Sequence, residues 1–446
     1  MGNAELREQL RRLGMARGVQ HLQAHPRRRR KAIEDLIPGQ LVGTECGSFF
    51  LRRETYPLDH FHGHHALSEL LAHPAAGPAL LAHDERLAEV AFQRVAFIDT
   101  ETTGLAGGTG TYAFLVGVGL FDEEQFTVHQ FFMRDYDEEP AQLTALGQLL
   151  AEVEAVVSFN GKAFDLPLLE TRFIMVRQPP SLVDAPHLDL LPPARRFWKH
   201  RLESCALSSL EVEVLGVQRT QDDVPGWLIP SLYMEYARSG DARDMPRIFY
   251  HNAQDILSLV TLAARMCDLL AAPLALAGSP TGSNGSAELA GSSPGPSLPG
   301  EDLYGLGRFF HEVGQPDKAE AAYRQAALAC RSAPVREMAM RDLAYLLKRQ
   351  ERRAEMLPWW QQLAENEGAV YACEELAKHY EWHVGDLPQA IAWTERAIGL
   401  AQAWPPDPQR REALAGLEHR LQRLQRKVAG LAAPDAAQLD KSGELR

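Results

Sequence analysis

From Val95 onward the apolar residues fall into short runs, VAFID, AFLVGVGLF and QFTVHQFFM, separated by turn residues. Their length and their β-branched and aromatic content predict three strands of an antiparallel meander. The period then lengthens to that of a helix over 141–154, and the run AVVSF that follows predicts a short buried strand. Helices are expected over 167–176 and 206–215, flanking a strand at 187–191. The longest helical pattern is 247–270, with Ile248, Ile256, Leu259, Val260 and Leu262 at its apolar positions. Strands followed by helices in this order predict a mixed sheet flanked by helices, an α/β domain over residues 91–272. Residues 1–90 form a mixed, basic and partly flexible prelude, with an apolar-polar stretch at 41–51 and a helical pattern at 65–73.

The pattern stops at 273–300, where Ala, Gly, Ser and Pro dominate and too little apolar surface is available to order the chain. A linker is expected there. Beyond it, Leu306, Leu343 and Leu376 recur at spacings of 37 and 33 residues, as do Tyr323, Trp360 and Trp393. Gly314 and Gly385 fall where a turn between two antiparallel helices belongs. The segments LGRFFHEVGQPDKAEAAYRQAAL and LAKHYEWHVGDLPQAIAWTERAI resemble tetratricopeptide repeats, so residues 301–430 are expected to be an all-α repeat domain, and 431–446 a disordered tail. The middle repeat lacks the turn glycine and carries Pro358 inside its second helix.

Forty-five per cent apolar and 24 per cent charged residues are ordinary for a globular chain, and 446 residues exceed what one core can hold. Five dispersed cysteines form no disulfide framework and no zinc knuckle, and no apolar run is long enough for a signal peptide or a membrane span. A cytoplasmic protein without a membrane segment is the expectation. The net charge of −13 runs against nucleic-acid binding, but residues 1–57 hold 11 Lys+Arg against 6 Asp+Glu, so the charge is unevenly spread. The run Arg27–Lys31 reads either as a phosphate-binding arm or as a solvated charge run.

Four carboxylates in three segments carry the chemistry. Asp99 and Glu101 lie two apart in FIDTETTG at a strand end, so they point to one face. Asp165 follows the strand AVVSF, and Asp255 lies on the long helix. Acids gathered this way repel one another unless divalent cations sit among them, and oxygen ligands suit Mg²⁺ or Mn²⁺. Two such ions about 4 Å apart suit in-line displacement at a phosphodiester.

These segments resemble the three motifs of the DEDD superfamily, the RNase H-like 3′-to-5′ exonucleases: DTETTG, then Asn160 with Phe164 and Asp165, then Asp255 with an aromatic residue upstream. The stretches HLDLL, SSLEVEVLG, DDVPGWLIP and HNAQDILSL are similar to the YprB-like branch, which joins this domain to tetratricopeptide repeats. The resemblance implies Asp99, Glu101, Asp165 and Asp255 as ligands of two Mg²⁺ or Mn²⁺ ions, and Thr102, Thr103, Gly104, Asn160 and Phe164 as substrate contacts. In that superfamily the general base is a Tyr four residues before the last Asp or a His five before it. Here His251 stands four before Asp255 and Tyr250 five before it. On a helix the residue four back shares the face of Asp255, which favours His251.

The expected activity is metal-dependent hydrolysis of DNA or RNA, 3′ to 5′ on single-stranded ends, with a protein partner on the repeats. The alternative is a weakened nuclease fold that only binds nucleic acid and scaffolds partners. Asn160 reads equally as a turn residue. GLAGGTGTY lacks the Lys-Ser/Thr of a phosphate loop and reads as a hairpin turn. The run from Asp59 to His65, with four histidines, reads as a structural or nucleic-acid-contacting loop ahead of a zinc site. Asp184 and Asp189 read as acids outside the centre, and most of Trp359, Trp360, Trp382 and Trp393 as packing between helices.

Overall fold

The computed structural model describes residues 30–104, 109–179, 184–220, 222–272, 274 and 298–432. The basic run up to Arg29, residues 105–108 of the glycine-rich hairpin, nearly all of the linker and residues 433–446 lie outside the described residues.

Among the described residues nine strands form in chain order: β1 (Gln40–Thr44), β2 (Gly47–Pro57), β3 (Phe61–His62), β4 (His65–Ala66), β5 (Val95–Thr102), β6 (Ala113–Phe121), β7 (Gln125–Phe132), β8 (Ala155–Ser158) and β9 (His187–Asp189). β3 and β4 pair with each other, and the other seven make one sheet in the order β1-β2-β7-β6-β5-β8-β9. Pairing is antiparallel from β1 to β5, whereas β8 and β9 run parallel to β5. The meander appears where the apolar runs place it. Residues 40–57, which sequence patterning leaves without a role, extend the same sheet at its antiparallel edge.

The short helices α1 (Ser68–Leu71) and α2 (Ala76–Ala82) precede β5, and α3 (Glu139–Leu150) and α4 (Asp165–Met175) follow β7 and β8. Then come α5 (Leu191–Trp198), α6 (Leu207–Leu210), α7 (Ile229–Ser239) and the 27-residue α8 (Met245–Ala271). The helix expected over 206–215 is α6 passing into a π-helical turn, Glu211–Leu215, which Gly216 ends at φ +70°. That left-handed conformation is nearly free only for glycine.

Alternation along β5 decides which layer each residue meets. Ala96 and Ile98 pack with Leu143, Leu146, Leu168 and Phe173 of α3 and α4. Val95 and Phe97 join Ala253, Ile256 and Val260 of α8 on the opposite face. The sheet is thus covered on both sides, as parallel strands require.

Seven further helices follow: α9 (Gly300–Glu312), α10 (Pro316–Ala329), α11 (Ala333–Arg349), α12 (Arg353–Asn366), α13 (Val370–His379), α14 (Leu387–Gln402) and α15 (Pro408–Ala432). Each packs on the next. Gly314 and Gly385 occupy the left-handed turn positions, and where the middle pair has no glycine Glu351 takes up φ +60° instead. α12 runs through Pro358 without a break. Trp359 and Trp360 are buried between helices, Trp393 is half-buried, and Trp382 is exposed with Arg420 over its ring. The array docks on α5: a Cβ at Gly305 of α9 would lie 2.4 Å from the Phe197 carbonyl oxygen, and Arg201 donates to Asp302 at 2.7 Å.

Candidate active site

The end of β5 sets the site. Asp99 and Glu101 project toward α8, following Phe97, while Thr100 projects toward α4 and donates to Asp165 Oδ1 at 2.5 Å. Asp165 is the first residue of α4, so the carboxylate stands at a helix N-terminus, where the helix dipole favours an anion.

The loop before it is held from beneath. Asp189 Oδ1 accepts from the Asn160 and Leu191 amides at 2.7 and 3.0 Å, and its Oδ2 accepts from the Lys162 amide at 3.2 Å. Asn160 sits at φ +66°, so its turn role is met; Phe164, the residue before α4, is half-buried. Thr102 donates to the Gly104 carbonyl at 2.9 Å, and the Thr103 hydroxyl accepts from the Tyr112 amide at 3.0 Å. Asp189, expected to stand apart from the site, thus shapes the loop that delivers Asp165.

From the other side, α8 brings Asn252 and Asp255 over β5. Asn252 Nδ2 donates to Asp99 Oδ2 at 2.8 Å, and its Oδ1 accepts from Gln130 at 2.9 Å. A Cβ at Gly117 of β6 would lie 2.3 Å from Asn252 Oδ1, so only glycine fits beneath that amide. One potential ligand atom from each of Glu101, His251 and Asp255 lies within 4.8 Å of the others. His251 Nε2 is 3.5 Å from Asp255 Oδ2, while its Nδ1 meets Asp223 Oδ1 at 2.8 Å. Tyr250 turns the other way, into a cavity of about 500 Å³ that Arg52 and Tyr56 also line, where its hydroxyl accepts from the Thr220 amide.

Burial and mutual repulsion dominate the electrostatics. Burial pushes Asp99 well above the ordinary carboxylate range, and the charges of Asp255 and Asp165 add to it. Glu101 is raised in the same way by burial, then by Asp99, Asp255 and Asp165. Burial lifts Asp165 to about 6, against the bond from Thr100. Among the described residues one cation answers this group: Arg219 pairs with Asp255 and with buried Glu211, to which it donates at 2.6 and 2.8 Å. Ser258 also donates to Glu211, at 2.5 Å, and its hydroxyl meets His62 Nε2 at 2.7 Å. Burial, with Arg219 and His60 nearby, holds His62 down at about 3, so the ring is neutral.

Arg219, Glu211, Asp223 and Asn252 escaped sequence reasoning. Asn252 had a signal, since it lies three residues before Asp255 and shares its helix face. The other three sit in the π-helical turn and the loop beyond it, whose path no periodicity announces.

A carboxylate set of this kind, crowded, largely buried and short of cations, fits hard divalent ions, which accept oxygen ligands and offset repelling charges. Known proteins agree at the level of the family. Residues 96–267 match the RNase H superfamily, whose domains generally act on nucleic acid with divalent metals. The chain is 32% identical over 359 residues to the uncharacterized protein YprB of Bacillus subtilis, a match that covers 79% of this chain and 80% of that protein. With its mixed sheet, its α8-borne acid and its trailing helices, the chain belongs to the YprB family and carries an RNase H superfamily domain.

Proposed function

We propose that the protein is a divalent-metal-dependent exonuclease acting 3′ to 5′ on single-stranded nucleic-acid ends. The observation that carries the reading is the convergence of Asp99, Glu101, Asp165 and Asp255 with too little positive charge among the described residues to balance them. These four would hold two Mg²⁺ or Mn²⁺ ions. When bound, the ions supply Lewis-acid charge for water activation and for the scissile phosphate.

The chain's own groups do the rest. His251 Nε2 faces the carboxylates and takes the proton of the attacking water. Asp223 Oδ1 and Arg219 Nη1 both meet Nδ1, at 2.8 and 3.0 Å, and in the tautomer that donates Nδ1–H to Asp223 the Nε2 lone pair is left toward the reaction. A Cβ at Gly226 would be 3.8 Å from His251 Nε2, and its neighbour Trp227 is 75% exposed. That indole gives a terminal base a stacking surface, which supports a frayed or single-stranded substrate. The helical array, similar to tetratricopeptide repeats, would hold a protein partner.

The test uses oligonucleotides labelled at either end with Mg²⁺ or Mn²⁺. Stepwise loss from the 3′ end by the wild type, absent in Asp99→Ala, is expected; equal activity in the two proteins would refute the site. A second reading, a module that binds without cleaving, draws on Arg219, whose guanidinium already offsets Asp255. Metal-dependent binding without product on DNA and RNA alike would decide for it.

A further inference from the structure

A second group of donors lies at the far end of α8, outside the carboxylate centre. His65, Glu69 and His73 are spaced four residues apart. Leu67 to Ala72 wind as right-handed helix, so His65 before it and His73 after it flank Glu69 along one side. Asp268 of α8 meets them. His65 Nδ1 lies 2.7 Å from Glu69 Oε2, and His73 Nε2 lies 3.0 Å from Asp268 Oδ1. One donor atom from each of His65, Glu69 and Asp268 lies within 4.8 Å of the others. His73 reaches the group through Asp268.

We propose that His65, Glu69, His73 and Asp268 form a structural site for a zinc-like transition-metal ion that clamps residues 65–73 onto α8. Two imidazole nitrogens and two carboxylate oxygens make a four-donor set of the kind zinc takes. Zinc distances of about 2.0–2.2 Å put tetrahedral donors about 3.3–3.6 Å apart, so the 2.7 and 3.0 Å contacts open by less than about 1 Å, while the wider separations, up to 4.8 Å among His65, Glu69 and Asp268, close around the ion. The second carboxylate oxygens have other company, the Ala66 amide on Glu69 Oε1 and Arg265 at 4.0 Å from Asp268 Oδ2, which orients one oxygen of each toward the ion. Nearby donors stay out. His64 packs against Gly216, and the buried Cys267 thiol packs against Gly77. The choice of ion therefore differs between the two ends of α8: all-oxygen ligation toward β5, mixed nitrogen and oxygen here.

The test uses the full chain carrying Asp99→Asn and Asp255→Asn, stripped with a chelator and titrated with Co²⁺ as a visible probe and with Zn²⁺. One Co²⁺ per chain with the intense absorption of tetrahedral cobalt is expected, displaced by Zn²⁺ with a rise in Tm. His65→Gln or His73→Gln should weaken uptake by about 100-fold or more. His73→Cys should keep uptake and add a thiolate-to-cobalt charge-transfer band, which separates lost ligation from lost folding. The same titration of the wild type under saturating Mg²⁺ should agree. No stoichiometric uptake, a weak octahedral spectrum, or uptake unchanged by the histidine substitutions would each overturn the site and leave two His–carboxylate ion pairs.

Discussion

Buried acids at the sheet and in the helical array are treated in opposite ways. At the sheet, among the described residues, the one guanidinium paired with the group of Asp99, Glu101, Asp165 and Asp255 is that of Arg219, which reaches Asp255 and is also claimed by Glu211. In the array, the carboxylate of Glu381 has no exposed surface, yet Arg420, Arg423 and Lys427 reach it at 3.0, 2.5 and 2.6 Å. Burial would raise Glu381, but Arg423 and Lys427 hold it at about 2. Glu320 likewise lies between Arg324 and Arg352 at 2.8 and 2.5 Å. Removing a carboxylate from water costs several kcal/mol, so an acid whose job is packing brings its own cations. An acid left short of them is stable only with a charge from outside.

The most severe test of this contrast is neutralisation at the sheet. Glu101→Gln or Asp255→Asn should lower metal-dependent turnover by about 1,000-fold or more, on the order of 4 kcal/mol, with the fold retained by circular dichroism. Full turnover in either variant would put the two kinds of acid on one footing.

Next in size is the pH response of chelated protein. Asp165 has its ordinary value of 3.8 when unfolded and about 6 when folded, so the native state binds the extra proton between them. Stability then falls as pH rises from about 4 to about 6, by up to about 3 kcal/mol from this group. Glu381 has the reverse sign, its contribution being lost as pH falls from 4.5 toward about 2. Tm followed by calorimetry should fall through the first window, flatten in Asp165→Asn, and recover at neutral pH with Mn²⁺.

Glu381→Gln should cost about 2 kcal/mol in urea unfolding, less than for a fully enclosed pair because its cations reach solvent, and should leave turnover unchanged. Loss of activity there would mean that the array's acids serve the site. The smallest effect is expected from Trp227→Ala: about a tenfold rise in KM for single strands with kcat little altered, since stacking is worth about 1–3 kcal/mol per base.

Much of this could be read from the chain alone where local rules act. β6 matches the run AFLVGVGLF residue for residue, because both faces of that strand are covered and every position is apolar or glycine. Asp99 and Glu101 were legible as a same-face pair because alternation along a strand is geometric. Residues 47–57 were not, since β1 pairs with only the first five of them, and the rest of β2, with exposed Arg53 and Thr55, shows only half of an apolar pattern. Asp223 and Arg219 acquire meaning only once the turn at Gly216 carries the chain back over α8. His65 and His73 looked like members of a histidine-rich loop and a nearby helix; Asp268, almost 200 residues later, makes them neighbours.

The seat of Gly305 on the Phe197 backbone leaves no room for a methyl group, so α9 and α5 lie backbone against backbone. The first residue of α5, Leu191, shares Asp189 with the loop that ends at Asp165. One helix, α5, and one shared carboxylate thus span the gap between the first helix of the array and the acid at the head of α4.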